Sequence, residues 1–196
     1  MLNRLAFFVS VIFEPFLVTF LSWILIVAAL EALTIEKMLW LLLVVIVSGL
    51  PPILILLYEK STGKVTSWFL TQRLERRDIE AAWFLGSFLL SLGFWLLDAP
   101  RLLLAASVTL FLLSLGVTVV NFFWKISVHM VGVSFFVMML LLVYSPGWLW
   151  LTLLLPVVAW SRIRLGHHTL TQVTVGTIVT ILITYFSFSL FGLATF

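Results

Sequence analysis

Apolar runs long enough to cross a lipid bilayer recur along almost the whole of this chain, parted only by short polar segments. That alternation constrains the fold more than any other feature. A helix of roughly 20 apolar residues matches the hydrocarbon thickness of a membrane, and a helix satisfies all its backbone hydrogen bonds internally. Hydrophobic residues make up 63% of the chain and charged residues 10%, where a soluble domain carries about 25% charged residues. One core cannot enclose that much apolar surface, so most of it must face lipid. The expected fold is all-α, a polytopic transmembrane bundle in which residues 1–196 form a single membrane domain. The formal charge of +3 resides in loops between apolar runs, a pattern of membrane topology and not of a nucleic-acid surface. With no cysteine present, disulfides and thiolate metal sites are excluded.

The breaks between runs set the expected spans. Residues 1–13 end at Glu14-Pro15, and proline favours the first turn of a helix, so 1–13 read as a retained interfacial segment and 15–30 as the first span. The alternative is one longer span with Glu14 buried inside it, where a carboxylate would hint at function. Further spans are expected near 38–58, 79–97, 102–123, 128–144, 148–160 and 170–191, with a kink at Pro51-Pro52 and a break at Pro156. The expected total is six to seven, six if one hairpin is re-entrant. Counting crossings from the basic loop 59–79 brings the polar segments at 125–129 and 161–168 to the same membrane face. Trp83, Trp124 and Trp160 mark that face, and Trp40, Trp95, Trp148 and Trp150 mark the other, as an interfacial belt does.

The densest cluster of ionisable groups in the last third of the chain is Ser161-Arg162-Ile163-Arg164-Leu165-Gly166-His167-His168-Thr169-Leu170-Thr171-Gln172. Charge is placed sparingly in so apolar a chain, and a cluster of this kind marks function by default. His168, Gln172 and Gly176 are spaced four apart, so they share one face of the last helix; Lys125 and His129 share a face in the same way. A glycine on such a face lets a neighbouring helix approach.

Ser161, Arg162 and His168, spaced Ser-Arg-x5-His-x3-Gln, resemble the third signature motif of the type 2 phosphatidic acid phosphatase superfamily, in which aspartate stands where this chain has Gln172. Lys125-Ile126-Ser127-Val128-His129 is similar to the second motif, Pro-Ser-Gly-His, at Ser127 and His129. The first motif, Lys-x6-Arg-Pro, has no counterpart in spacing, although Lys64, Arg73, Arg76 and Arg77 fall where it would lie. The resemblance covers roughly residues 60–176. It implies an integral membrane hydrolase that removes phosphate from a lipid or polyprenyl phosphate or diphosphate. His168 would attack phosphorus and form a phosphohistidine, His129 would protonate the leaving oxygen, and Gln172 would orient His168. Arg162, Lys125, Ser127, Lys64, Arg73 and Arg77 would hold the phosphate. No metal or other cofactor is implied, and the partners are the bilayer and the lipid phosphate itself.

Such a site needs clustered cations more than elaborate chemistry, because a phosphomonoester carries two charges that an electrostatic cradle must hold. Gln172 can accept the imidazole hydrogen bond but cannot stabilise an imidazolium as a carboxylate does. That difference supports an alternative in which the chain binds or transports a lipid phosphate without turnover. A haem-binding bundle with His129 and His168 as axial ligands is a third reading; it leaves Arg162 and Lys125 unexplained. His167 reads as a helix-packing or interfacial residue, and Lys60, Arg76 and Arg164 as topogenic charges. The expected location is the plasma membrane of a prokaryote. The surplus of Lys and Arg on the site face points to the cytoplasm, whereas bacterial members of the superfamily commonly face outward.

Overall fold

In the computed structural model, residues 1–65 and 74–194 are described, and among them every regular element is helical. The order is α1 (Leu2–Ile12), α2 (Pro15–Ala28), α3 (Thr34–Val44), α4 (Leu50–Ser61), α5 (Arg77–Leu96), α6 (Arg101–Phe123), α7 (Val128–Val143), α8 (Leu154–Arg164) and α9 (Leu170–Leu190). By length and composition four helical stretches can cross a membrane: Thr34–Ser61, Leu74–Leu96, Arg101–Phe123 and Leu170–Leu190. The pair α1 and α2, bent by 43°, makes a fifth if the two form one span. Helix α7 is apolar but shorter, and α8 is shorter still.

The proline positions explain where these helices start and bend. Pro15 is the first residue of α2, and the Glu14 carboxylate caps that helix by accepting the Leu17 N–H at 3.0 Å. Pro156 does not break a span. It sits in the first turn of α8, where its missing N–H has no intrahelical partner to lose, and the preceding Pro146–Leu153 winds as a 3-10 helix. Pro51 and Pro52, where a kink was expected, lie in one continuous helical stretch that passes through a π-helical turn at Val45–Gly49. In an α- or π-helical register the Val47 carbonyl would accept from residue 51 or 52, and neither proline has an N–H. Helix α5 approaches at that point through Gly86, where an added Cβ would lie 2.6 Å from the Val47 oxygen. Only glycine fits this crossing.

The core lies between α2, α5, α6 and α7, around Trp23, Ile26, Leu90, Phe94, Leu103 and Phe135. Trp23 and Trp40 both meet the ring of Phe94 edge-on, at 6.1 and 5.4 Å between centroids. Several polar side chains inside the bundle are satisfied locally. Ser22, Ser48, Thr109, Thr180 and Thr184 each donate to the carbonyl four residues earlier. Ser87 and Ser114 bond across α5 and α6 at 2.7 Å. Leu39, Leu42, Ile46, Leu92, Leu182 and Phe186 point outward and are exposed, the signature of a bundle whose outer solvent is lipid.

Candidate active site

Three polypeptide segments distant in sequence close on one another at the end of the bundle. The first is the turn from α8 into α9. Ser161 and Arg162, at the end of α8, have no exposed surface, and His168 is 6% exposed. The Arg162 carbonyl accepts the backbone N–H groups of both His167 and His168, at 3.1 and 3.3 Å, and so winds the turn tightly around the arginine. The second segment is the linker from α6 to α7. Asn121 accepts the Ile126 N–H at 3.1 Å through Oδ1 and donates to Glu80 through Nδ2, which fixes the linker that carries Lys125 and Ser127. Lys125 Nζ donates to the His167 carbonyl at 2.8 Å, joining the first two segments. Gly176 makes the same junction close, since a Cβ there would lie 3.1 Å from the Ser127 carbonyl oxygen. The third segment is α1, whose Ser10 meets Arg162 and His129.

The tautomer of His168 follows from its partners. Gln172 Oε1 accepts the Thr169 N–H at 3.1 Å, while the Thr169 hydroxyl accepts the Gln172 N–H at 3.3 Å, so the two residues form the capping box that starts α9. The same oxygen lies 3.1 Å from His168 Nδ1. An amide oxygen only accepts, so Nδ1 carries the proton and Nε2 holds the lone pair. Among the described residues Nε2 has no hydrogen-bond partner. Burial first, then the positive charges of Arg76, Lys125 and Arg162, push His168 down to about 3, which keeps the imidazole neutral at any physiological pH. Burial and the same three cations push His167 down to about 4. Burial, with Arg76 and Arg162 nearby, also lowers Lys125.

Arg162 is the most committed cation of the cluster. Its Nη1 donates to Ser10 at 2.9 Å, while Nε and Nη2 have no partner among the described residues. Nε and Nη2 form one edge of the guanidinium plane, the edge that grips two oxygens of one anion at once. Ser127, the residue that caps α7, is also fully buried with an unpartnered hydroxyl. Four buried polar atoms without partners thus belong to Arg162, His168 and Ser127.

A cavity of about 630 Å³ adjoins this cluster, within the size range of sites for organic ligands. Its walls are apolar, among them Phe20, Trp23, Leu110 and Phe135, while Glu14, Arg76, Glu80 and His129 supply its ionisable lining. Among the described residues no group of three or more histidines or carboxylates is placed to share a metal ion.

The residues singled out in the sequence divide into two groups. His129, His168, Gln172, Arg162, Lys125 and Ser127 lie in the segments that converge. Lys64 is held between the carboxylates of Glu59 and Asp78, which raise its ammonium above the usual lysine range, and it is not among the cations that act on His168. Arg77 is exposed, its guanidinium 5.3 Å from the centre of the Phe122 ring. Lys64 and Arg77, expected beside Arg162, thus each face a partner outside the converging segments. Arg73 lies outside the described residues. Arg76, read as topogenic, is instead buried at 6% exposure and acts on Lys125, His167 and His168 alike. Ser10, Glu80 and Asn121 were missed. Glu80 and Asn121 carried a signal, as polar groups inside apolar helices; Ser10 carried none.

No family model matches the chain, and neither a curated protein nor a solved structure matches it.

Proposed function

We propose that this protein is an integral membrane phosphatase of lipid or polyprenyl phosphates or diphosphates, working through a phosphohistidine on His168. The observation that carries the reading is the buried Arg162 edge, Nε and Nη2 without partners, beside an unprotonated and unpartnered His168 Nε2. Among the described residues neither the fork nor the lone pair has a partner, and the pair suits a phosphate bound by one and attacked by the other. Lys125, Arg76 and Ser127 supply further charge and hydrogen bonding. Arg76 takes the place that Lys64 and Arg77 do not fill, where the resembling superfamily has its first motif. The apolar cavity beside His129 takes the lipid chain.

The steps balance as an in-line displacement. His168 Nε2 forms a bond to phosphorus while the bond from phosphorus to the lipid oxygen breaks, and His129 donates a proton to that oxygen. His129 keeps its Nε2–H on the Ser10 carbonyl, 3.2 Å away, so Nδ1 is the nitrogen that serves the leaving group: it takes the acidic proton of a monoanionic phosphate ester as the substrate binds and passes that proton to the leaving oxygen. Water then attacks the phosphohistidine, giving its proton back to His129 and releasing phosphate. In this reading α7 and the α8 hairpin join the longer helices as spans, for six to seven in all, in the plasma membrane of a prokaryote.

Phosphate release from a panel of phosphatidate, lysophosphatidate and polyprenyl phosphates or diphosphates, by detergent-purified protein, tests the proposal. Turnover blocked by orthovanadate, with phosphate trapped on His168 after an acid-free quench, is the expected result. A second reading rests on the capping box: Gln172 is needed to start α9 and puts an amide where a carboxylate would stabilise the imidazolium. A protein that binds the same lipids and hydrolyses none of them would support this reading, a non-catalytic carrier of lipid phosphate.

A further inference from the structure

We infer that Ser10, on the amino-terminal helix, is the positioning residue of the anion site: its hydroxyl sets Arg162 and its carbonyl sets His129. A chain of hydrogen bonds joins α1 to α8. Ser161 Oγ donates to the Ala6 carbonyl at 2.7 Å, which uses its only proton. The 2.7 Å contact between the Ser10 and Ser161 hydroxyls must then be donated by Ser10. With its own proton spent, Ser10 Oγ can only accept from Arg162 Nη1, at 2.9 Å. The order Arg162, Ser10, Ser161, Ala6 is thus the one order the proton count allows, and all four residues have no exposed surface. It engages one side of the guanidinium and leaves the Nε and Nη2 edge without a partner.

The Ser10 carbonyl is available for a different reason. In an unbroken helix it would accept from Glu14. Helix α1 stops at Ile12, and the Glu14 N–H turns to the Val11 carbonyl at 3.3 Å instead. One of the carbonyls left over at a helix end is thereby freed, and His129 Nε2 takes it at 3.2 Å. The break before Pro15 and the serine before it serve the same two side chains from opposite atoms of one residue.

The catalytic arm of the test rests on the phosphatase reading; the binding arm does not. Orthovanadate affinity is measured for the full-length protein in nanodiscs, alongside kcat and KM on a lipid phosphate. Ser10→Ala removes the acceptor, and vanadate affinity and kcat/KM are each expected to fall roughly 10–100-fold, as for loss of a charge-assisted hydrogen bond. Ser10→Cys, close in volume but a poor acceptor, is expected to fall in the same direction and guards against a packing defect in the alanine variant. In an Arg162→Met background the Ser10→Ala change is expected to alter vanadate affinity by less than about 2-fold, because the two act as one unit. Equal losses from Ser10→Ala in both backgrounds overturn the inference, as does wild-type affinity in the Ser10 variants or a wild type that binds no vanadate. Ser10-dependent vanadate binding by a protein that hydrolyses no lipid phosphate upholds it and sinks the phosphatase reading alone.

Discussion

Lys64 and Arg162 are both basic residues that follow an apolar helix on the face chosen by counting crossings, and the sequence treats them alike. Their surroundings are opposite. Lys64 is about half exposed and sits between two carboxylates, so its charge is spent on Glu59 and Asp78. Arg162 has no exposed surface, no carboxylate partner among the described residues, and two N–H groups with nothing to bind. The difference teaches that a cation marks a site by the cost of leaving it buried and unpaired, and not by its position in a motif. An exposed pair such as that of Lys64 contributes little to stability. A buried unpaired guanidinium is tolerated only where something else repays its desolvation, and a bound anion does so.

The contrast can be broken or sharpened by experiment. The largest expected effect is at the lone pair that Arg162 serves: His168→Ala abolishes phosphate release, measured on the most active lipid phosphate, because the proposed phosphohistidine cannot form without that imidazole. Arg162→Ala is next, lowering kcat/KM by roughly 10²–10³-fold, as for removal of a donor aimed at developing charge. If Lys64→Ala lowers turnover as much as Arg162→Ala, the contrast fails. Gln172→Ala is expected to cost roughly 10–100-fold in kcat, or about 1.4–2.7 kcal/mol of barrier, with lipid binding largely kept. Gln172→Asp keeps or raises kcat if the missing carboxylate limits the rate, and a wild-type rate in Gln172→Ala would reduce Gln172 to its helix-capping role.

A different effect, on stability and not on turnover, appears in acid. His168 is held at about 3 in the folded protein, below the ordinary histidine value near 6.5. The unfolded chain therefore binds the extra proton first, and stability present above about pH 6.5 is lost progressively as pH falls towards 3, by at most about 1.4 kcal/mol per pH unit from this group. Thermal melts of the purified protein should show this slope, reduced in a His168→Phe variant. The smallest effect is expected from Lys64→Ala itself, with turnover unchanged within about 3-fold and the melting curve nearly unmoved, as for an exposed ion pair.

The all-helical fold was legible because each apolar run is its own record of a helix, and the ends at Pro15, Arg101 and Leu170 follow from capping and turn residues that act locally. Pro51-Pro52 was read as a kink and Pro156 as a break, since the sequence shows the lost N–H groups but not the π-helical turn or the first-turn placement that absorbs them. The histidines, Arg162, Lys125 and Gln172 were legible from spacing. Arg76 and Ser10 were not. Arg76 differs from its neighbour Arg77 only in which way the helical turn faces it, and the phase of that turn is set by packing against other helices. Ser10 looks like any small residue in an apolar stretch, and its partners on α8 lie 151 and 152 residues away.

That separation bears on how the protein is made. Synthesis delivers α1 to the membrane well before α8, so the serine and alanine face of α1 waits while α2 to α7 are inserted. Local helix contacts form early, whereas this seam closes only when α8 arrives. The groups around Arg162 therefore assemble after the helices between them, and a chain halted before α8 would hold α1 to α7 without its anion site. A bulky fusion that shifted α1 by even one turn would leave the same partly built product, with its transmembrane helices in place and Arg162 without its serine.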